Sequence, residues 1–167
     1  GPAAAPARRE ALSQARDLLT VARRANAHIV TAESCTGGLI AALLTEIPGS
    51  SDVVERGFVT YSNEAKQDLL GVPENLLREY GAVSEPVCRA MAQGALKNAR
   101  AEFSVAVTGI AGPGGGSADK PVGLVYIGAA GLAGNVIVRE YRFGDIGRDR
   151  VRLRTVENAI ALLRACL

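Results

Sequence analysis

The amino-acid sequence predicts an α/β protein, a three-layer α/β/α sandwich around a mixed, mostly five-stranded central sheet. Three observations carry this expectation. Short apolar runs rich in β-formers alternate along the chain with longer stretches whose apolar residues recur at intervals of three and four. The run Phe103–Thr108 is apolar between turn signals, the pattern of a central strand covered on both faces. Helical stretches before, between and after the strands supply both outer layers.

Residues 1–7 read as a loose Ala/Pro-rich tail, leaving 8–167 as one domain. Ala11, Leu12, Ala15, Leu18, Leu19 and Ala22 then line one side of an amphipathic helix over 8–24. His28–Ala32 is the first strand, and an apolar helix follows from Thr36 or Gly37 to Glu46, closed by Pro48-Gly49. The dense β-branched and aromatic residues of Val53–Tyr61 predict the second strand. Asn63 is placed to cap a short helix over 64–70, ended by Gly71. A further short helix runs from Pro73 to Gly81, and Ser84 with Pro86 opens a helix over 87–100. After the central strand comes the loop Gly109–Gly116, Gly-Ile-Ala-Gly-Pro-Gly-Gly-Gly. Leu124–Ala130 and Val136–Phe143 pair as a hairpin, and a helix from Arg148 to Leu167 closes the chain.

With 167 residues, 48% of them hydrophobic and 22% charged, the chain can bury a core as one domain. A net charge of +2 with dispersed basic residues gives no reason to expect nucleic acid or a membrane surface as partner. No apolar run reaches membrane-spanning length, and the first residues lack a signal peptide's apolar core. Cys35, Cys88 and Cys166 form no short pair, which favours neither a disulfide framework nor a zinc cage and suits a reducing cytoplasm. The first residue is Gly1, as in a trimmed or excised chain.

Four stretches are richer in reactive residues than folding needs: Glu33–Gly38, Gly49–Ser51, Thr60–Lys66 and Thr108–Lys120. Three of them fall at expected strand ends, where α/β sheets bind ligands. Ser34, Cys35 and Thr36 stand where a strand passes into a helix, so the helix's first amides would welcome an anion. A Ser-His-Asp triad is not expected, because His28, the single histidine, would lie about 20 Å from Ser34 in an extended strand and reads as structural. A serine nucleophile then needs another base, and a lysine with its pKa lowered by burial serves, often through a tyrosine hydroxyl. Tyr61 at a strand end and Lys66 in the next helix fit that role. Each residue also has a purely structural reading: Ser34 or Thr36 as a helix cap, Ser51 in a turn, Tyr61 half-buried in a strand, Lys66 in solvent, Cys35 buried and inert. The Gly109–Gly116 loop lacks the closing lysine of a phosphate loop and leads to a strand, so it reads as an amide-rich anion cradle.

In Ala32–Gly38, Gly49–Ser51, Arg56–Lys66, Gly81–Pro86, Thr108–Pro113 and Lys120–Gly123 the sequence resembles the CinA C-terminal domain family, whose enzymatically characterised members are nicotinamide mononucleotide deamidases. The resemblance implies hydrolysis of that nucleotide's carboxamide to nicotinic acid mononucleotide and ammonia, in pyridine nucleotide salvage. It implies a cytoplasmic homo-oligomer with the mononucleotide as its small-molecule partner, no catalytic metal and no cofactor. Longer members carry an N-terminal pyrophosphatase-like domain, for which this chain has no room, so a stand-alone deamidase or an excised C-terminal piece is expected. Ser34, Ser51, Tyr61 and Lys66 match the family's serine, tyrosine and lysine positions. The resemblance implies acyl transfer with Lys66 and Tyr61 as base and leaves two serines for the attack: Ser51 is favoured as nucleophile with Ser34 in oxyanion or substrate contact, and Ser34 as nucleophile is the alternative. Cys35, Thr36 and Gly37 would hold the oxyanion or the substrate. Thr108, Gly109, Gly112 or Arg56 would receive the phosphate.

Two other functions fit the same residues. A nucleotide-binding or regulatory module without turnover would keep the pocket, and a thiol amidase would use Cys35.

Overall fold

A computed structural model describes residues 4–167 of the protein, with side chains from Ala7 onward. The elements run α1 (Ala4–Arg24), β1 (Ile29–Glu33), α2 (Leu39–Thr45), a 3-10 turn (Ser50–Asp52), β2 (Val54–Val59), α3 (Asn63–Leu70), α4 (Glu74–Tyr80), α5 (Glu85–Lys97), β3 (Phe103–Gly109), β4 (Leu124–Gly131), β5 (Val136–Arg142) and α6 (Arg148–Cys166). The sheet order is β2-β1-β3-β4-β5. β1 pairs parallel with β2 and β3, whereas β4 pairs antiparallel with β3 and β5, so the sheet is mixed as expected.

Alternation along the central strands builds the three layers. Ile29, Val105 and Val107 face α1, α2 and α6, joining Leu18, Leu44, Ile160 and Leu163 in one core. Val30, Ala32 and Ala106 face the other way, joining Leu70, Leu77, Val87 and Met91 from α3, α4 and α5. Among the described residues, no helix is long and apolar enough to cross a membrane.

Several boundaries differ from the sequence expectation. The expected loose tail at 1–7 is helical from Ala4, while residues 1–3 lie outside the described ones. Pro6 falls in the first turn, where a missing N–H costs no hydrogen bond. β1 runs one residue further, to Glu33. α2 starts at Leu39 and not at Thr36, because Gly37 and Gly38 take positive φ (58° and 105°) and prolong the turn. Ser62, not Asn63, caps α3, its hydroxyl accepting from the Ala65 amide at 3.0 Å.

The chain leaves β1 toward β2 on one side and later returns to β3 on the other. Neighbouring parallel strands thus connect in opposite directions, which opens a crevice at their carboxyl ends.

Candidate active site

The three parallel strands deliver their following residues to that crevice. Ser34 follows β1, Thr60 and Tyr61 follow β2, and Thr108 and Gly109 end β3. Lys66, on α3, points back beneath Tyr61 and is only 1% exposed. Its Nζ lies 3.0 Å from Ser34 Oγ, 2.9 Å from the Thr60 carbonyl and 3.2 Å from the Tyr61 carbonyl. Burial lowers the Lys66 pKa, opposed only by nearby Cys35. A neutral amine has two N–H donors and one lone pair. The Thr60 and Tyr61 carbonyls, nearer than the Ser62 carbonyl at 3.5 Å, can accept the donors, leaving the lone pair for the Ser34 hydroxyl proton.

Tyr61 is brought to the site by a different route from the one expected. Its backbone carbonyl meets Lys66, while its hydroxyl accepts from Arg148 Nη2 at 3.1 Å. The lysine therefore reaches the serine directly, with no phenol between them. Arg148, in the first turn of α6, also donates from Nη1 to the Gly112 carbonyl at 2.8 Å, joining the Gly109–Gly116 loop to Tyr61. Among the described residues no carboxylate stands within ion-pair distance of it. These groups surround a cavity of about 280 Å³, lined by Ser34, Cys35, Tyr61, Lys66, Thr108 and Arg148 together with Gly109–Gly112.

The loop's glycines are there for close approach. A Cβ at Gly109 would come within 2.6 Å of Val125 Cγ2, and one at Gly112, where φ is 85°, within 2.6 Å of Val122 Cγ1. Thr108 is buried, its hydroxyl donating to the Ala82 carbonyl at 2.9 Å, so that hydroxyl is engaged in holding α5's approach to β3.

The amino end of α2 is not open to a substrate anion. The fully buried Glu33 carboxylate occupies it, accepting from Thr36 Oγ1 (2.5 Å), the Ile40 amide (2.8 Å) and the Ala41 amide (3.1 Å). An acidic group from the preceding strand thus caps the helix, which the pattern Glu-Ser-Cys-Thr-Gly-Gly did not reveal because α2 begins only after the glycines. Thr36 is fully buried and Gly37 exposed, and neither lines the cavity. Burial pushes the Cys35 thiol up to about 12, which removes the thiolate a Cys35 nucleophile would need.

Two expected residues are elsewhere. Ser51 lies in the 3-10 turn before β2, at the amino edge of the sheet. Since Ile29 pairs with Val54, Ser51 and Ser34 are separated by at least about 16 Å of strand. Arg56, in the middle of β2 opposite Val30, donates to Glu55 and to the Asn98 carbonyl and does not line the cavity. Arg148 is the charged cavity residue to which no sequence signal points, since 87 positions separate it from Tyr61 and only the packing of α6 brings them together.

Fold and site together define an α/β sandwich protein that holds a serine–lysine pair at the topological switch point of its sheet. The chain belongs to the CinA C-terminal domain family, whose model matches residues 11–167. It is 54% identical over 138 residues to the nicotinamide-nucleotide amidohydrolase PncC of Escherichia coli K12, covering 82% of each chain. It is 61% identical over 132 residues to a CinA-like protein of Akkermansia muciniphila, covering 79% of this chain and 31% of that one. The chain thus spans about a third of the length of many curated relatives, for example 36% of an Anaeromyxobacter CinA-like protein. Among solved structures, the competence/damage inducible protein CihA of Agrobacterium tumefaciens superposes with a TM-score of 0.92 at 55% identity, covering 93% of this chain and 94% of that one.

Proposed function

We propose that the protein hydrolyses the carboxamide of nicotinamide mononucleotide to the carboxylate and ammonia, with Ser34 as nucleophile and Lys66 as its base. The observation that carries this reading is the 3.0 Å contact between a buried, pKa-lowered Lys66 amine and the Ser34 hydroxyl at the wall of a cavity. The similarity to the Escherichia coli amidohydrolase supports the substrate.

Ser34 Oγ attacks the carboxamide carbon as its proton passes to Nζ of Lys66. The carbonyl oxygen becomes an oxyanion, for which amides at Cys35 and in the Gly109–Gly112 loop are the candidate donors. Collapse of the intermediate transfers the Lys66 proton to the departing ammonia and leaves an acyl-enzyme. Lys66, neutral again, takes a proton from water as the water attacks the ester, then returns it to Ser34. Arg148 faces the same cavity without a carboxylate partner, and its fork suits the nucleotide's phosphate. Tyr61 holds that fork in place through its hydroxyl. Ser51, remote from Lys66, takes no part in the chemical steps.

The test is to incubate the protein with nicotinamide mononucleotide and assay ammonia, with thermal shift in parallel. Release of ammonia is the expected result. A stabilising shift without product would instead mark a binding module. A cytoplasmic setting and self-association belong to the same reading on the family resemblance, and light scattering of the purified chain tests the second.

A further inference from the structure

Arg152 stands one helical turn beyond Arg148 on α6 but does not line the cavity. It is half-buried, and among the described residues it has no ion-pair partner. Its Nε donates to the Cys35 carbonyl at 3.2 Å and its Nη2 to the Thr36 carbonyl at 3.1 Å. Both carbonyls belong to the turn that directly follows Ser34. Because a peptide unit is planar, fixing the Thr36 carbonyl also fixes the Gly37 amide. That amide donates to the Ser34 carbonyl at 3.0 Å. One continuous set of contacts thus runs from the guanidinium through Thr36 and Gly37 to Ser34. On the turn's other side Glu33 holds the Thr36 hydroxyl and the first amides of α2.

We propose that Arg152 is a positioning residue for the reaction: acting through the carbonyls of Cys35 and Thr36, it holds the Ser34 turn so that Oγ stays within reach of Lys66, and it makes no contact with substrate. The inference rests on the reading of Ser34 and Lys66 as the reacting pair. Its distinguishing property is the two-carbonyl fork, which a lysine of equal charge cannot reproduce. A role in attracting the substrate's phosphate would instead depend on charge alone.

The experiment compares Arg152→Met, Arg152→Lys and Arg152→Ala with the unaltered full chain, measuring ammonia release over a range of nicotinamide mononucleotide concentrations and a melting curve for each. The expected result is a fall in kcat of about 10- to 100-fold in both the Met and Lys variants, with KM within about twofold, as for a nucleophile displaced by a fraction of an ångström. Millimolar guanidinium should restore part of the lost kcat to Arg152→Ala and none to Ser34→Ala. If Arg152→Met fails to fold, Arg152→Lys carries the comparison, because it keeps both charge and stem. A raised KM at unchanged kcat in Arg152→Met, recovered in Arg152→Lys, would overturn the proposal, as would unchanged kinetics in both. Absence of turnover in the unaltered chain, or full turnover in Ser34→Ala, would overturn the serine–lysine reading and this inference with it. Activity that needs Ser34 but ignores Arg152 would overturn the inference alone.

Discussion

Replacing Glu33 by alanine removes the acceptor for three donors at once: Thr36 Oγ1, the Ile40 amide and the Ala41 amide. The Thr36 hydroxyl can rotate toward another acceptor, but the Ile40 and Ala41 amides are fixed at the start of α2. Each buried donor left without a partner costs about 1–3 kcal/mol, so Glu33→Ala should cost about 3–5 kcal/mol once the emptied side-chain volume is included. At roughly 2–4 °C per kcal/mol for a chain of this size, the melting temperature should fall by about 10 °C. Glu33→Gln keeps one oxygen for Thr36 and Ile40 but turns an NH2 group toward the Ala41 amide, for about 1–2 kcal/mol and a few degrees. Differential scanning calorimetry reads both values, and the ammonia assay below the transition should show kcat reduced in Glu33→Gln because the Ser34 turn loosens. A Glu33→Ala melting temperature within about 1 °C of the unaltered protein would refute the assignment of this carboxylate as the cap of α2.

Lys66 must be neutral to act as base, and burial lowers its pKa, so kcat should rise with pH along a limb centred below a lysine's ordinary value. Lys66→Ala should abolish the activity and that limb together. The same shift has a sign for stability: between the folded Lys66 pKa and its ordinary value the unfolded chain binds more protons. Stability from this group is therefore complete above the ordinary value and is lost as pH falls through the folded one, which melts at stepped pH will show. Arg148→Ala should raise KM for the mononucleotide about tenfold or more, through loss of a charge-assisted contact, and the riboside lacking the phosphate should show little difference between the two proteins. Cys35→Ser should retain turnover, since the thiol's pKa near 12 leaves it protonated at neutral pH; loss of activity in a folded Cys35→Ser protein would reopen the thiol route.

Much of the fold is legible in the sequence because its signals are local. The apolar runs of β1 and β3 and the capping serine and proline of α5 lie within a few residues of the structures they form. The convergence of Ser34, Tyr61, Lys66 and the Gly109–Gly112 loop follows from the rule that ligands sit at the carboxyl ends of parallel strands. Ser51 falls outside that crevice, because its block precedes β2 and so lies at the opposite edge of the sheet. Other features depend on contacts that no local pattern encodes. The Lys66 amine meets the Tyr61 carbonyl and not its phenol, and Arg148 and Arg152 arrive from the last helix. Glu33 looks like part of a reactive motif, yet its carboxylate is spent on the helix that the motif introduces.

In the proposed reaction Ser34, and not Ser51, attacks the carboxamide. Mass spectrometry of the protein quenched during turnover of nicotinamide mononucleotide, run on Ser34→Ala, Ser51→Ala and the unaltered chain, tests it most directly. The prediction is an acyl adduct mapped to the peptide containing Ser34 in the unaltered and Ser51→Ala proteins, with adduct and ammonia both missing from Ser34→Ala. An adduct on the Ser51 peptide, or sustained ammonia release by Ser34→Ala, would contradict it.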